Sequence, residues 1–109
     1  MSDDGAAPQD NAGPSIPSGA VSREIPIINK RGLHARASAK FVQMVERFSA
    51  EVWVTKGNET VGGNSIMGLM MLSAGPGTSI IVSAVGPEAQ AALDAITELV
   101  ASKFNEEGV

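Results

Sequence analysis

The sequence has no cysteine and a single histidine, His34, among its 109 residues. Without thiols there are no disulfides, no thiolate nucleophile and no cysteine-built zinc or iron–sulfur site. One histidine cannot build a multi-histidine metal cage, so no metal site of that kind is expected. Long apolar runs are lacking too. The longest, residues 66–72, is interrupted by Gly68 and is too short to span a bilayer, so no membrane insertion is expected. An excess of positive charge is also absent: net charge is −4 and the pI about 4.8, the wrong sign for a general nucleic-acid binder. The N-terminus carries Asp3 and Asp4 with no apolar stretch and does not read as a signal peptide. A cytoplasmic, monomeric protein is the expectation.

What is present suffices for one domain and not two. Hydrophobic residues make up 43% and charged residues 18%, an ordinary globular balance that supports a packed core. Residues 1–20 stand apart. They hold three glycines, three prolines and Asp3, Asp4 and Asp10, with no lysine or arginine, and are expected to be a disordered acidic tail. The domain is then residues 21–106.

Within it, two hydrophobic periods alternate. Residues 21–28 are rich in β-branched side chains and read as a strand, with Pro26 pointing to a sheet edge. From 35 to 48, apolar residues at 37, 41, 44, 45 and 48 recur at helical spacing. Residues 51–55 alternate again, with Val52 and Val54 on one face and Trp53 on the other. Gly57-Asn58 is a two-residue hairpin turn before a return strand at 59–62. Ser65 is placed to cap a short helix over 66–72, in which Ile66, Leu69 and Leu72 form a buried stripe. A strand at 79–84 follows. A last helix opens at Pro87 and runs to about 104, burying Ala89, Leu93, Ile96, Val100 and Phe104. The order is β-α-β-β-α-β-α, a two-layer α/β sandwich. Pattern alone leaves the strand order open.

His34 falls at the predicted start of the first helix, where Ser, Thr, Asp or Asn would cap better. The first-turn amides of Ala35, Arg36 and Ala37 lie beyond the reach of helical carbonyls, and a helix N-terminus attracts phosphate. Residues 30–47 add Lys30, Arg31, Arg36, Lys40 and Arg47 against Glu46 alone, whereas 88–107 is acidic. A neutral imidazole in such surroundings has a lone pair that can attack phosphorus. Arg36 could then hold two oxygens of the bound dianion. Two plainer readings stand beside this one: an isolated histidine at a helix start is more often an ordinary surface residue, and a charge run is usually a solvated face. A hydrolase triad finds no support, since Ser38 is too local and no orienting acid is visible.

Gly32-Leu33-His34-Ala35-Arg36 resembles the active-site signature of the HPr family, the histidine-containing phosphocarriers of the bacterial phosphoenolpyruvate-dependent phosphotransferase system. A second block, Asn64-Ser65-Ile66-Met67-Gly68-Leu69-Met70-Met71-Leu72, resembles that family's regulatory-serine motif and second helix. Ser65 lies 31 residues beyond His34, which is the family's spacing. The resemblance covers about residues 21–106 and leaves out the tail.

It implies an open-faced β-sandwich with an antiparallel four-stranded sheet of order 1-4-2-3 and three helices on one face. It further implies a carrier rather than an enzyme, with no cofactor because the energy is carried in the phosphohistidine bond. His34 would take a phosphoryl group on Nδ1 from phospho-Enzyme I and pass it to a histidine of an Enzyme IIA protein. Arg36 and the amides of Ala35, Arg36 and Ala37 would steady the group. Ser65, by position an ordinary helix cap, would by resemblance also be the target of HPr kinase/phosphorylase. Phosphate there would repel an acidic partner rather than unfold the helix. Met67, Met70 and Met71, with Lys40, would form the partner surface, since methionines adapt to several partners. Two positions depart from the pattern: Ala37 stands where many members have proline, and Arg31 where sugar-transport members often have a small polar residue. Both sugar uptake and a nitrogen-type regulatory branch therefore fit. The alternative is a binding-only module of the same fold that docks to metabolic regulators.

Overall fold

The computed structural model of the chain describes residues 15–105. Most of the predicted acidic tail lies outside the described residues; its last part makes one turn, Ala20 N–H donating to Pro17 O at 3.3 Å. Four strands follow: β1 (Val21–Pro26), β2 (Glu51–Lys56), β3 (Glu59–Gly62) and β4 (Ser79–Val85). The helices are α1 (Ala35–Val45), α2 (Ile66–Met71) and α3 (Ala89–Ala101), with a short turn at Lys103–Asn105.

The strands form one antiparallel sheet of order β1-β4-β2-β3. This is the expected 1-4-2-3 arrangement. It places β1 at an edge, where Pro26, opposite Ser79, need not donate to a further strand. Alternation decides what each face does. Ile25, Val52, Val54, Ile80, Val82 and Ala84 point inward and are buried under the helices. The other face is open. Across it, Ser22 and Ser83 share a hydroxyl hydrogen bond of 2.8 Å and Thr55 and Thr60 one of 2.9 Å. Trp53 sits there half-buried, opposite Gly62 and Ser83.

Several element ends differ from the sequence reading. β1 stops at Pro26 instead of residue 28, and α1 stops at Val45 instead of 48. Tight turns, Arg47 N–H to Met44 O and Phe48 N–H to Val45 O, end α1 and lead into β2. α3 opens at Ala89, not Pro87, because Gly86 takes a φ of +127° and Glu88 sends its carboxylate across to the amide of Ser49 at 2.7 Å. At the other end α3 stops at Ala101. Lys103, Phe104 and Asn105 all have φ of +56 to +58°, a left-handed turn that carries Phe104 into the core by a route other than helical periodicity. Lys40 on α1 holds that turn, its Nζ donating to Phe104 O at 2.7 Å. Finally, Ile66 is exposed rather than part of a buried stripe. α2 spans only six residues, so Leu69 and the cap residue Leu72 alone reach inward.

Candidate functional site

The connection from β1 to α1 is built from both sides. The ladder continues past Pro26, with Ile27 N–H donating to Thr78 O at 2.8 Å and Gly77 N–H to Ile27 O at 3.1 Å. Asn29, fully buried, then folds the chain back: its carbonyl accepts from Gly32 N–H at 3.2 Å, and its Nδ2 donates to Gly32 O at 2.9 Å. Gly32 has φ +62°, a left-handed conformation that favours glycine. Its neighbour across the loop is Ala74, delivered by the left-handed Ser73 (φ +54°) that ends α2. Leu33 N–H donates to Ala74 O at 3.0 Å, and the Leu33 side chain is buried. The start of α1 is thus locked to the end of α2.

From this base His34 emerges in extended conformation (φ −76°, ψ −177°) as the N-cap of α1. Its backbone N–H donates to Gly32 O at 2.9 Å, and its carbonyl receives the first helical bond, from Ser38 N–H at 2.8 Å. Its Nδ1 accepts from the Arg36 amide at 3.3 Å. That contact fixes the chemistry of the ring. A nitrogen that accepts a hydrogen bond carries a lone pair, so in the neutral ring Nδ1 holds the lone pair and the proton resides on Nε2. The bond is long and given by an exposed amide, so an electrophile can replace it at little cost. The same amide would then face a phosphoryl oxygen at the positive end of an eleven-residue helix.

The structure brings His34, Arg36 and the amides of Ala35 and Ala37 together on one helical turn; the ring is half-exposed, Ala35 and Arg36 exposed, and Ala37 buried. Lys40, further along α1, is engaged by Phe104 O. Ser65 caps α2, its Oγ accepting from Gly68 N–H at 2.9 Å. Met67 and Met71 are each 69% exposed and Met70 40%; Ile66, at 42%, adds a fourth exposed apolar side chain to this short helix, an apolar patch on α2. α2 packs against α1, so this patch and the His34 turn belong to one helical layer. No group of three or more potential metal ligands occurs among the described residues. Nor does any helix among them have the length and apolarity to cross a membrane.

The sequence reading missed Asn29 and the supporting part of Ser38, which is buried and donates its Oγ proton to Leu33 O at 3.2 Å. A signal for Asn29 was available. Positions 25, 27 and 29 share one parity, so the residue continues the inward face of β1.

Comparison with known proteins agrees with this geometry. Residues 21–102 match the family model described as the PTS HPr component phosphorylation site. The phosphocarrier protein HPr of Neisseria meningitidis serogroup A is 50% identical over 86 residues, covering 79% of this chain and 97% of that one. The phosphocarrier protein NPr of Shewanella violacea is 42% identical, covering 79% and 94%. Among solved structures, HPr-C-His from Thermoanaerobacter tengcongensis superposes with a TM-score of 0.76 at 44% identity, covering 80% of this chain and 98% of that one. A helix-capping histidine beside an arginine, on an open sheet of this order and with relatives of this closeness, places the chain in the HPr/NPr phosphocarrier family of the phosphotransferase system.

Proposed function

We propose that His34 accepts a phosphoryl group on Nδ1 from phospho-Enzyme I and passes it to a histidine of an Enzyme IIA protein. In each half of the relay one bond from phosphorus forms as another breaks. The Nδ1 lone pair attacks phosphorus, the donor leaves with the bonding pair, and the reverse exchange delivers the group onward. The observation that carries this reading is the capping contact between Nδ1 and the Arg36 amide. It keeps the lone pair in the helix mouth, beside the donors that would receive the phosphoryl oxygens.

The residues divide the work. The amides of Ala35, Arg36 and Ala37 supply hydrogen bonds to the phosphoryl oxygens, and the Arg36 guanidinium offsets part of the dianion's charge. Ala37, where many members have proline, contributes an N–H that proline lacks. Ile66, Met67, Met70 and Met71 form the docking patch, with Lys40 of α1 adding positive charge to the partner surface. Phosphorylation of Ser65 by an HPr kinase/phosphorylase would add about −1.5 to −2 charge to that patch at a helix N-terminus, which tolerates it, and so weaken docking without unfolding α2. The protein acts as a cytoplasmic monomer and a carrier rather than a catalyst, in sugar uptake or in the nitrogen-type branch.

Incubation with Enzyme I and labelled phosphoenolpyruvate should yield an acid-labile, base-stable adduct, and His34→Ala should abolish it. Label that persists in His34→Ala would end this reading.

A further inference from the structure

Ile25, Ile27 and Asn29 occupy alternate positions and all three are buried. Two of them fill the core, and the third is a primary amide that is 0% exposed. Its Oδ1 has no hydrogen-bond partner among the described residues. Burying an unpaired amide oxygen costs stability, and an aliphatic side chain of similar volume would avoid the penalty. The amide's compensating act is local: Nδ2 donates to Gly32 O at 2.9 Å. That carbonyl is also the acceptor for the backbone N–H of His34, at 2.9 Å. One oxygen therefore joins the buried amide to the main chain of the reactive histidine. Ala74 packs against Gly32, so the loop has little room to relax by moving that way.

We propose that Asn29 is a positioning residue for phosphoryl transfer: by fixing Gly32 O it sets the backbone of His34 and so aims Nδ1 at the incoming phosphorus. This rests on the phosphocarrier reading of His34. Asn29 touches neither the phosphoryl group nor the partner. Its effect passes through the Cα–Cβ direction of His34, which decides where the ring points when the Arg36 amide turns from Nδ1 to a phosphoryl oxygen. Displacements of this kind are costly because attack needs the reacting atoms close and aligned.

The test compares the wild-type protein with Asn29→Leu and Asn29→Asp, using Enzyme I and phosphoenolpyruvate at varied carrier concentration, with the imidazole and Arg36 amide resonances recorded by NMR. We expect kcat to fall on the order of 10- to 100-fold in both variants. KM for the carrier should be unchanged, since the α2 patch is intact, and the His34 ring signals should move. In Asn29→Asp the buried carboxyl, once protonated, regains a donor for Gly32 O. Its kcat relative to wild type should therefore rise as pH falls, whereas that of Asn29→Leu should not. Asn29→Asp also carries the test if the leucine variant fails to fold. Folded variants with wild-type kcat and unmoved His34 signals, altered only in unfolding midpoint, would overturn the role of Asn29. A wild-type protein that takes up no phosphoryl group at all would overturn the carrier reading and this inference together.

Discussion

A methyl group added at Gly32 would overlap the carbonyl oxygen of Ala74, while lying 2.8 Å from Cα of Gly75 and 3.1 Å from the Ala74 carbonyl carbon. All three neighbours are backbone atoms, so no side chain can swing aside. The residue also has φ +62°, where an L side chain costs about 1–2 kcal/mol. Forcing the two loops apart adds about 1–3 kcal/mol, the usual range for overpacking. Loss of the Leu33 N–H bond to Ala74 O adds about 1 kcal/mol. Gly32→Ala should therefore destabilise the domain by about 3–6 kcal/mol. Gly57 provides the control, with φ +61° and no atom within 4 Å of where a methyl group would sit. Gly57→Ala should carry only the conformational part, about 1–2 kcal/mol. Urea denaturation followed by circular dichroism measures both. The difference between them, about 2–4 kcal/mol, isolates the close approach of the loops. Gly32→Ala no more destabilising than Gly57→Ala would refute the reasoning that the His34 loop is wedged against the end of α2.

Ser65→Ala should lose the cap of α2 and about 1 kcal/mol by the same denaturation assay, whereas Ser65→Asp should keep the circular dichroism spectrum and slow phosphoryl uptake from Enzyme I. Leu69→Ala, at a fully buried position, should cost about 2–5 kcal/mol of stability. Met71→Glu, at a position 69% exposed, should leave stability within about 0.5 kcal/mol and weaken Enzyme I binding measured by calorimetry. Lys40→Met removes the donor to Phe104 O and should cost about 1–2 kcal/mol, with faster amide hydrogen exchange at Asn105.

How much was legible depends on where the cause lies along the chain. Strands and helices followed from local period, and Val52, Val54 and Trp53 took the faces their alternation assigns. The strand order did not follow from pattern, because which strand inserts between β1 and β2 is settled by long-range pairing; it came with the family resemblance. His34 as an N-cap was legible from the helix it precedes. Phe104 was assigned correctly to the core but by the wrong path. A left-handed turn through Lys, Phe and Asn has no glycine to announce it, and tertiary contacts such as the Lys40 bond hold it. Ile66 was misplaced because a six-residue helix turns too few times to bury a full stripe. Asn29 was hidden by its chemistry: its parity matched the core, but an amide in a strand exit reads as a turn residue until its partner Gly32 is seen.

The most direct measurement is NMR of the protein phosphorylated by Enzyme I, with nitrogen-15 in the imidazole ring. The account predicts phosphorus–nitrogen coupling to Nδ1 of His34 and a large shift of the Arg36 amide as it leaves the ring for a phosphoryl oxygen. Coupling to Nε2 instead, with the Arg36 amide unmoved, would contradict it.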